Sequence, residues 1–224
     1  MISPLAALAS AGFDVAHTFD VAAVVTQPGL AVLSGAQRLG VLVGNTRALW
    51  QPFTAALRDP AFAAERDPLD RYTERTIDAA FGSPNPADSA GPVAGSTAPP
   101  ARIYYSHRRY DGAFLPMQRL AALTGLGALA PNHLVIHPIY GPWFALRAIL
   151  LVDGEPPARA PIAQPCSCSA SCATAFTRAN ESADWRDWLA VRDSCSLRDW
   201  RYSEDQVTYH YASGLAGRGR QTPA

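Results

Sequence analysis

The sequence predicts an α+β fold, because apolar stretches typical of strands interleave with amphipathic segments of helical period, without a strict repeat of the two. The 224 residues are enough for a substantial hydrophobic core. Hydrophobic residues make up 48% and charged residues 17% of the chain, which is typical of globular proteins. We therefore expect a single domain over residues 1–224.

The individual strands and helices are predicted from the spacing of the hydrophobic residues and from residues that typically cap or end a helix. Strands are predicted over 38–44, 102–107, 132–137 and 143–152. Helices are predicted over 2–11, 46–57, 67–81 and 115–125, the first ended by Gly12 and the last by Gly125. Asn45 or Thr46 can cap the second helix, and Pro52 should kink it or mark its start. Ser203 and Gln206 form a capping box before a last helical stretch.

Residues 82–101 form an insert rich in Pro, Gly, Ser and Ala that lacks hydrophobic periodicity. A stretch of about 20 residues without such a period is either disordered or a functional lid. The composition favours disorder.

The charge balance excludes some partners. There are 19 basic and 19 acidic residues, so the formal net charge is zero, and neither a nucleic acid nor an anionic membrane is indicated. No uncharged apolar run reaches the roughly 18 residues that a bilayer needs. The N-terminus reads as a short helix and not as a signal peptide. We expect a soluble, cytoplasmic protein.

Arg147 is the one charge within the apolar stretch 143–152. Strict alternation places Leu146, Ala148 and Leu150 on one face of a strand and Arg147 on the other, together with Ile149 and Leu151. One interpretation is an edge-strand arginine that reaches water. The other is an arginine that presents its fixed fork of donors to a carboxylate or phosphate. The local sequence leaves both open.

The cysteines and histidines indicate no metal site. Cys166, Cys168 and Cys172 have the spacing C-x-C-x3-C, with Cys195 far downstream, and match neither the zinc pairs nor the ferredoxin run. We interpret them as non-ligand cysteines. The five histidines lack zinc-type spacing.

Several motifs in register resemble a known family. IHPIYGPWFALRAILL (136–151) is similar to the hallmark segment of the cobalamin-processing proteins named after methylmalonic aciduria and homocystinuria type C. WRDW (185–188) and RYSEDQ (201–206) match two further signatures in the same order, and segments upstream align as well. The resemblance spans nearly the whole chain.

The resemblance implies a flavin-nitroreductase-like fold with a central antiparallel or mixed sheet flanked by helices. It implies binding of cobalamin with its lower base detached, and removal of the upper axial ligand. Cyanocobalamin is decyanated with electrons from FMN, another reduced flavin or a thiol, and alkylcobalamins are dealkylated by glutathione or another thiol. The product passes to a downstream cobalamin-dependent enzyme or trafficking protein. An oligomer is possible.

The family's functional positions carry over residue by residue. Its cobalamin contacts fall on Leu115, Pro116, Met117, Gln118, Val135 and Leu146. Its glutathione-associated arginines fall on Arg147 and Arg192, with Arg218 as a third at a shifted spacing. Arg147 and Arg192 are the predicted catalytic residues.

The sequence also departs from the family. Ala122 replaces a histidine of the central helix, Leu129 and Ala130 replace tyrosines, and the loop before Ile136 is shorter. These changes leave open a cobalamin carrier without catalysis. The cysteines leave open a flavin-dependent reductase related to epoxyqueuosine reductases, which are similar around the strand 143–152 and carry ferredoxin-type cysteines where this chain has Cys166, Cys168 and Cys172.

Overall fold

The computed structural model describes residues 3–81, 101–158, 170–182 and 184–213. A four-stranded antiparallel sheet forms the centre, from β1 (Val15–Asp20), β2 (Leu39–Asn45), β3 (Arg102–Tyr105) and β8 (Ala145–Val152). The strand order is β1-β2-β8-β3, so β8 lies inside the sheet. The predicted α+β class is confirmed.

Two small hairpins and the helices surround this sheet. The hairpins pair β4 (Arg109–Tyr110) with β5 (Ala113–Phe114), and β6 (Ala128–Leu129) with β7 (Val135–Ile136). The helices are α1 (Pro4–Ser10), α2 (Trp50–Ala56), α3 (Pro60–Ala63), α4 (Pro68–Phe81), α5 (Met117–Thr124), α6 (Ala170–Ser182), α7 (Trp185–Asp193) and α8 (Glu204–Val207). A π-helical segment, Thr208–Ser213, continues from α8. No helix in the described ranges is long and apolar enough to cross a membrane.

The sheet buries both of its faces. On one side, Leu8 of α1, Phe53 of α2 and Ile77 of α4 pack against Ala148 and Leu150 of β8. On the other side, the cluster that includes Ile149 and Leu151 of β8 also contains Leu115, Met117 and Leu120 from α5 and the residues before it, and Val135 of β7. Burial of both faces explains why β8 reads as an almost continuous apolar run.

Several predicted boundaries change for local reasons. The predicted strand 132–137 is reduced to Val135–Ile136, because His133 has a positive φ of 63° and the side-chain oxygen of Asn132 accepts from the Leu134 N–H. Thr46, and not Asn45, caps the segment after β2, where a 3₁₀ turn (Arg47–Leu49) precedes α2. Except for Ala101, the insert 82–101 lies outside the described residues, so its predicted disorder stays a prediction.

Candidate functional site

A β-bulge in β8 determines where Arg147 points. Val43 of β2 pairs with Ala148 and Gly44 pairs with Leu146, so Arg147 is the extra residue on the bulged strand. Leu146 therefore shares a cluster with Ile149 and Leu151, while Ala148 and Leu150 belong to the other side. The prediction of a strict alternation, with Arg147 on the face of Ile149 and Leu151, is wrong. The edge-strand interpretation is also wrong, because β8 has neighbours on both sides.

Arg147 is held by a neighbouring strand and opens onto a cavity. Its Nε donates to Oδ1 of Asn45 at 2.6 Å, and Asn45 is fully buried. The cavity has a volume of about 460 Å³, and Asp70, Tyr209 and His210 contribute to its wall. Burial lowers the pKa of the guanidinium, whereas Tyr202, Asp70 and Tyr209 act to raise it. Arginine nevertheless keeps its charge, so the cavity contains a fixed cation.

The acidic wall of this cavity is tied to an ion-pair network. Burial raises the pKa of Asp70, against the opposing effect of His107 and Arg147. His107 lies 3.5 Å from a carboxylate oxygen of Asp70 and 2.9 Å from one of Glu74. Burial acts to raise the pKa of Glu74, but hydrogen bonds with His107 and Arg108 outweigh it and hold this pKa below its ordinary value. The network fixes α4 to the end of β3.

The structure brings the two predicted arginines to the same region. Arg192 lies in the last turn of α7, with its guanidinium carbon 5.7 Å from the ring centre of Trp143. The charges of both Arg147 and Arg192 affect the pKa values of Tyr202 and His210. Burial, with these two charges, lowers the pKa of His210 to about 3. Arg218 lies outside the described residues.

Sequence reasoning missed four side chains that carry buried polar atoms, which we call the buried polar cluster: Trp143, Tyr202, Gln206 and the half-buried His210. The ring centres of Trp143 and Tyr202 are 5.4 Å apart, and those of Tyr202 and His210 are 5.5 Å apart. Each of the four has a buried polar atom without a hydrogen-bond partner among the described residues. Tyr202 and Gln206 lie in the motif 201–206, but the capping box assigned Gln206 to the N-terminus of a helix and so gave no reason to expect a functional role.

The predicted cobalamin contacts gather on the opposite side of the sheet. Leu115, Pro116, Met117 and Gln118 all line a groove of about 430 Å³ that Leu129 also borders. Leu129 is 45% exposed, and Phe114, the residue before Leu115, is 52% exposed. The groove therefore offers apolar surface at its rim.

The remaining two predicted contacts lie in the core beneath this groove. The Val135 N–H donates to Oε1 of Gln118 at 2.8 Å, which ties β7 to the start of α5. Val135 is 2% and Leu146 is 8% exposed, and both pack in one cluster with Leu115 and Met117. The structure thus brings all six predicted contacts together. Leu146 faces the groove side, and Arg147 opens onto the cavity across the sheet.

The turn before β8 packs tightly against the segment after α7. Nδ1 of His137 accepts from the N–H groups of Ile139 and Tyr140, and the ring stacks on Tyr140 at 4.3 Å. Burial lowers the pKa of His137 to about 4. A Cβ on Gly141 would lie 1.9 Å from the carbonyl oxygen of Leu197. This turn fixes the position where β8 begins.

The cysteines are only partly described. Cys172 and Cys195 are free and buried, and Nδ2 of Asn132 donates to Sγ of Cys172 at 3.3 Å. Cys166 and Cys168 lie outside the described residues, so the interpretation of the C-x-C-x3-C motif stays a prediction. Within the described ranges there is no cluster of three or more His, Cys, Asp or Glu side chains that could hold a metal ion.

The described residues form an α+β protein with an apolar groove on one side of the central sheet and a cavity lined by charged residues on the other. No model of a known protein family matches the chain. The chain is 29% identical over 196 residues to the protein of Mus musculus named cyanocobalamin reductase / alkylcobalamin dealkylase, a match that covers 76% of this chain and 63% of that protein. The protein of the same name from Bos taurus is 35% identical over 75 residues, which cover 33% of this chain and 26% of that protein.

The chain thus spans less than two thirds of the length of the curated relatives it matches. A solved structure is similar in fold: that of CblC from C. elegans, described as a B12-trafficking protein and a homologue of human MMACHC. Its TM-score is 0.54 at 15% identity, and the match covers 90% of this chain and 86% of that chain. These comparisons confirm the resemblance to the cobalamin-processing family that the sequence motifs indicate.

Proposed function

We propose that this chain binds cobalamin with its lower base detached and removes its upper axial ligand, within a nitroreductase-like variant of the α+β fold. The names of the relatives from Mus musculus and Bos taurus support this activity. The observation that carries the proposal is the convergence of the six predicted contacts on one side of the sheet. Corrin is a large, flat and mostly apolar ring, and an apolar groove bordered by the exposed side chain of Leu129 suits it.

Two reactions follow from the proposal. In decyanation, an electron from a reduced flavin such as FMN, or from a thiol, reduces Co(III) to Co(II), and cyanide leaves. In dealkylation, the thiolate of glutathione or another thiol attacks the cobalt-bound carbon, so that a thioether forms and both bonding electrons remain on cobalt as Co(I). The hard chemistry belongs to cobalt, and the protein supplies orientation and exclusion of water. The flavin enters as an electron donor, and none of the described residues is assigned to it.

The two arginines are assigned to the thiol. A guanidinium binds carboxylates through two parallel hydrogen bonds, and glutathione carries two carboxylates. Arg147 opens onto the cavity side, so in this proposal the thiol reaches cobalt around the start of β8. There Phe144 packs on the groove side, in the cluster of Leu146, while Trp143 packs against Tyr202. The two sides of the sheet adjoin at these neighbouring residues.

The visible spectrum of methylcobalamin tests the proposal. We expect the protein to shift the spectrum to the base-off form, and added glutathione to produce Co(I), under anaerobic conditions in the dark. In Arg147→Ala the base-off shift should persist, while the rate with glutathione falls at least about tenfold, because a charge-assisted pair is lost. Arg58→Ala, at an exposed arginine, is the control. Equal loss of both signals in Arg147→Ala would show that Arg147 is structural.

A second candidate is a cobalamin carrier without catalysis. The description of the C. elegans structure as a B12-trafficking protein favours it. So do Ala122 and Leu129, which replace polar residues of the family. A carrier would convert methylcobalamin to the base-off form and leave the cobalt–carbon bond intact after glutathione is added. The same titration therefore separates an enzyme from a carrier.

A further inference from the structure

Two basic side chains, Arg119 and His133, also line the apolar groove. Arg119 lies in the first turn of α5, and His133 lies in the turn that leads into β7. Both side chains are exposed. Among the described residues that line the groove there is no carboxylate, so Arg119 gives it a positive charge that no lining residue balances. The groove therefore combines an apolar surface with one cation and one imidazole.

Arg119 is held by a neighbouring loop and keeps most of its donors for a ligand. One of its terminal nitrogens donates to Oε1 of Gln27 at 3.2 Å, and Gln27 is half-buried. A guanidinium has five N–H donors, and this neutral partner takes one of them. No carboxylate pairs with Arg119 in the part of the chain that the structure describes. An exposed arginine without an ion pair is ordinary on a protein surface, but one in the lining of an apolar groove is placed to meet a ligand.

His133 is presented to the groove by a tight turn. Its φ of 63° is left-handed, and its N–H donates to the Ala130 carbonyl at 2.9 Å. The ring makes an edge-to-face contact with Phe176 of α6, with ring centres 5.8 Å apart. An imidazole donates from at least one ring nitrogen in either protonation state, and its ring has no hydrogen bond to another described residue. His133 thus adds a second donor to the same groove.

The lining matches a ligand that is mostly apolar and carries one anionic group. In the proposed function this ligand is cobalamin, whose corrin ring has neutral amide side chains at its edge. The lower base and its ribose are attached to the ring through one phosphodiester, and we call these three parts the nucleotide tail. The phosphodiester is the anionic group of the tail. Arginine binds phosphate oxygens through parallel N–H groups, and these charge-assisted hydrogen bonds are stronger than neutral ones.

We propose that Arg119 and His133 bind the phosphodiester of the detached nucleotide tail. The inference rests on the proposed function, because it takes base-off cobalamin as the ligand. The phosphodiester lies between the corrin ring and the base, so a phosphate held at the groove keeps the base away from the lower face of cobalt. Arg119 and His133 then select the base-off form, while the apolar lining binds the ring.

Corrinoids with and without the phosphate test the inference. Methylcobinamide has the corrin ring and the upper ligand of methylcobalamin but lacks the phosphate, ribose and base. In Arg119→Met the affinity for methylcobalamin, measured by calorimetry, should fall at least about tenfold, because a charge-assisted pair is lost. The affinity for methylcobinamide should stay within about twofold of that of the unaltered protein.

His133→Asn tests the second donor. Asparagine tolerates a left-handed φ, so the turn keeps its conformation while the imidazole is removed. The affinity for methylcobalamin should fall roughly three- to tenfold, and that for methylcobinamide should not change. Because Arg119 and His133 are exposed, the melting temperatures of both variants should stay close to that of the unaltered protein.

A third corrinoid separates the phosphate from the rest of the tail. Methylcobinamide phosphate keeps a phosphate and lacks the ribose and base, so Arg119→Met should weaken its binding as it weakens that of methylcobalamin. If only methylcobalamin loses affinity, Arg119 acts on the ribose or the base and the inference is wrong. Added NaCl should weaken methylcobalamin binding more in the unaltered protein than in Arg119→Met, because salt screens an exposed charge pair.

The matched control is Arg58→Met. Arg58 is an exposed arginine just after α2, which packs on the other side of the sheet. This variant should leave the affinities for all three corrinoids unchanged. If Arg119→Met behaves like this control, the inference is wrong.

The outcomes distinguish this inference from the proposed function. Equal losses of methylcobalamin and methylcobinamide in Arg119→Met would show that Arg119 supports the ring or the fold, which overturns the inference alone. Equal affinities of the unaltered protein for methylcobalamin and methylcobinamide, unchanged in both variants, overturn it as well. Absence of binding of either corrinoid by the unaltered protein overturns the proposed function itself.

Discussion

Arg147 lines the cavity, and a neighbouring residue holds its Nε. That residue is Asn45, at the end of β2, whose Oδ1 accepts at 2.6 Å. Nδ2 of Asn45 donates to the Thr46 carbonyl, and the Thr46 N–H and hydroxyl donate to Asp14 at 2.7 and 2.5 Å. A chain of hydrogen bonds therefore fixes the direction of one cation.

Replacing Asn45 tests this positioning role. In Asn45→Ala the guanidinium loses a charge-assisted hydrogen bond, typically about 1.5–3 kcal/mol, and its direction is no longer fixed. We expect the glutathione concentration for half-maximal demethylation to rise about tenfold or more, with the base-off binding of methylcobalamin unchanged. Steady-state rates against glutathione concentration measure this effect.

Asn45→Asp is the matched control, because a carboxylate keeps the acceptor for Arg147 at the same position. It should recover most of the glutathione dependence that Asn45→Ala loses. Should Asn45→Asp lose as much as Asn45→Ala, the donor to Thr46 would be the important group, and the positioning of Arg147 would not explain the loss.

At the scale of elements, the turn before β8 decides where the bulged strand begins. The backbone of His137 pairs with that of Gly141 in both directions at 2.9 Å. Gly141 has a φ of 56°, and its α-carbon approaches the segment after α7 closely. Only glycine fits both demands, because any Cβ would meet the Leu197 backbone. The turn thus connects the start of β8 with the helix that carries Arg192.

Gly141→Ala should lower the free energy of unfolding by roughly 2–4 kcal/mol, because strain at positive φ adds to the displacement of the Leu197 backbone. Gly112→Ala is the matched control: its φ is 81°, and no atom lies within 4 Å of the added Cβ. This control should cost only about 1 kcal/mol, the strain alone. Urea denaturation compares the two, and equal costs would refute the close contact at Gly141.

Periodicity predicted the principal elements, and the errors arose from the register with a distant strand and from local turn geometry. The helix 67–81 and the strand 143–152 have strong patterns and appear as Pro68–Phe81 and Ala145–Val152. The bulge at Arg147 has no signature in β8 itself, because it arises from the register with β2. The strand prediction 132–137 failed where His133 adopts a positive φ, which an apolar pattern does not reveal.

The candidate site was only partly readable from the sequence. The family motifs located Arg147, Arg192 and the groove residues. The capping box at Ser203 is half-formed: its side chain accepts from the Gln206 N–H, while the Gln206 amide has no partner among the described residues. Because the capping box accounts for Gln206 by local structure, the sequence did not indicate that its side chain is buried without a partner in the described part of the chain. His210 had no local signal, because its place beside Tyr202 depends on the packing of the π-helical segment.

At the scale of the whole molecule, β8 separates two sides with different chemistry. The groove side holds Leu115, Met117 and Leu146 and has an apolar character. The cavity side holds Arg147 and Asp70, and its wall is braced by the ion pairs of Glu74 with Arg71 and Arg108 at 3.0 and 2.6 Å. In the proposed function, the apolar side would receive the corrin ring and the charged side the thiol.

This arrangement also determines how stability depends on pH. Burial lowers the pKa of His137 to about 4 and that of His210 to about 3, from an ordinary value of 6.5. Above pH 6.5 both rings are neutral in the folded and unfolded chain and contribute no pH dependence. Below pH 6.5 the two histidine rings bind protons in the unfolded chain but not in the folded chain. The free energy of unfolding therefore falls as the pH decreases toward about 4.

A histidine variant isolates this effect from the carboxyl groups. Asp70, whose pKa is raised by burial, acts in the opposite direction, because the folded chain protonates it first. His210→Gln removes one of the two rings and leaves Asp70 in place. Urea denaturation between pH 7 and pH 5 should therefore give a shallower decline for His210→Gln than for the unaltered protein. The same decline in both would mean that His210 accepts a proton in the folded state, contrary to its burial between two arginine charges.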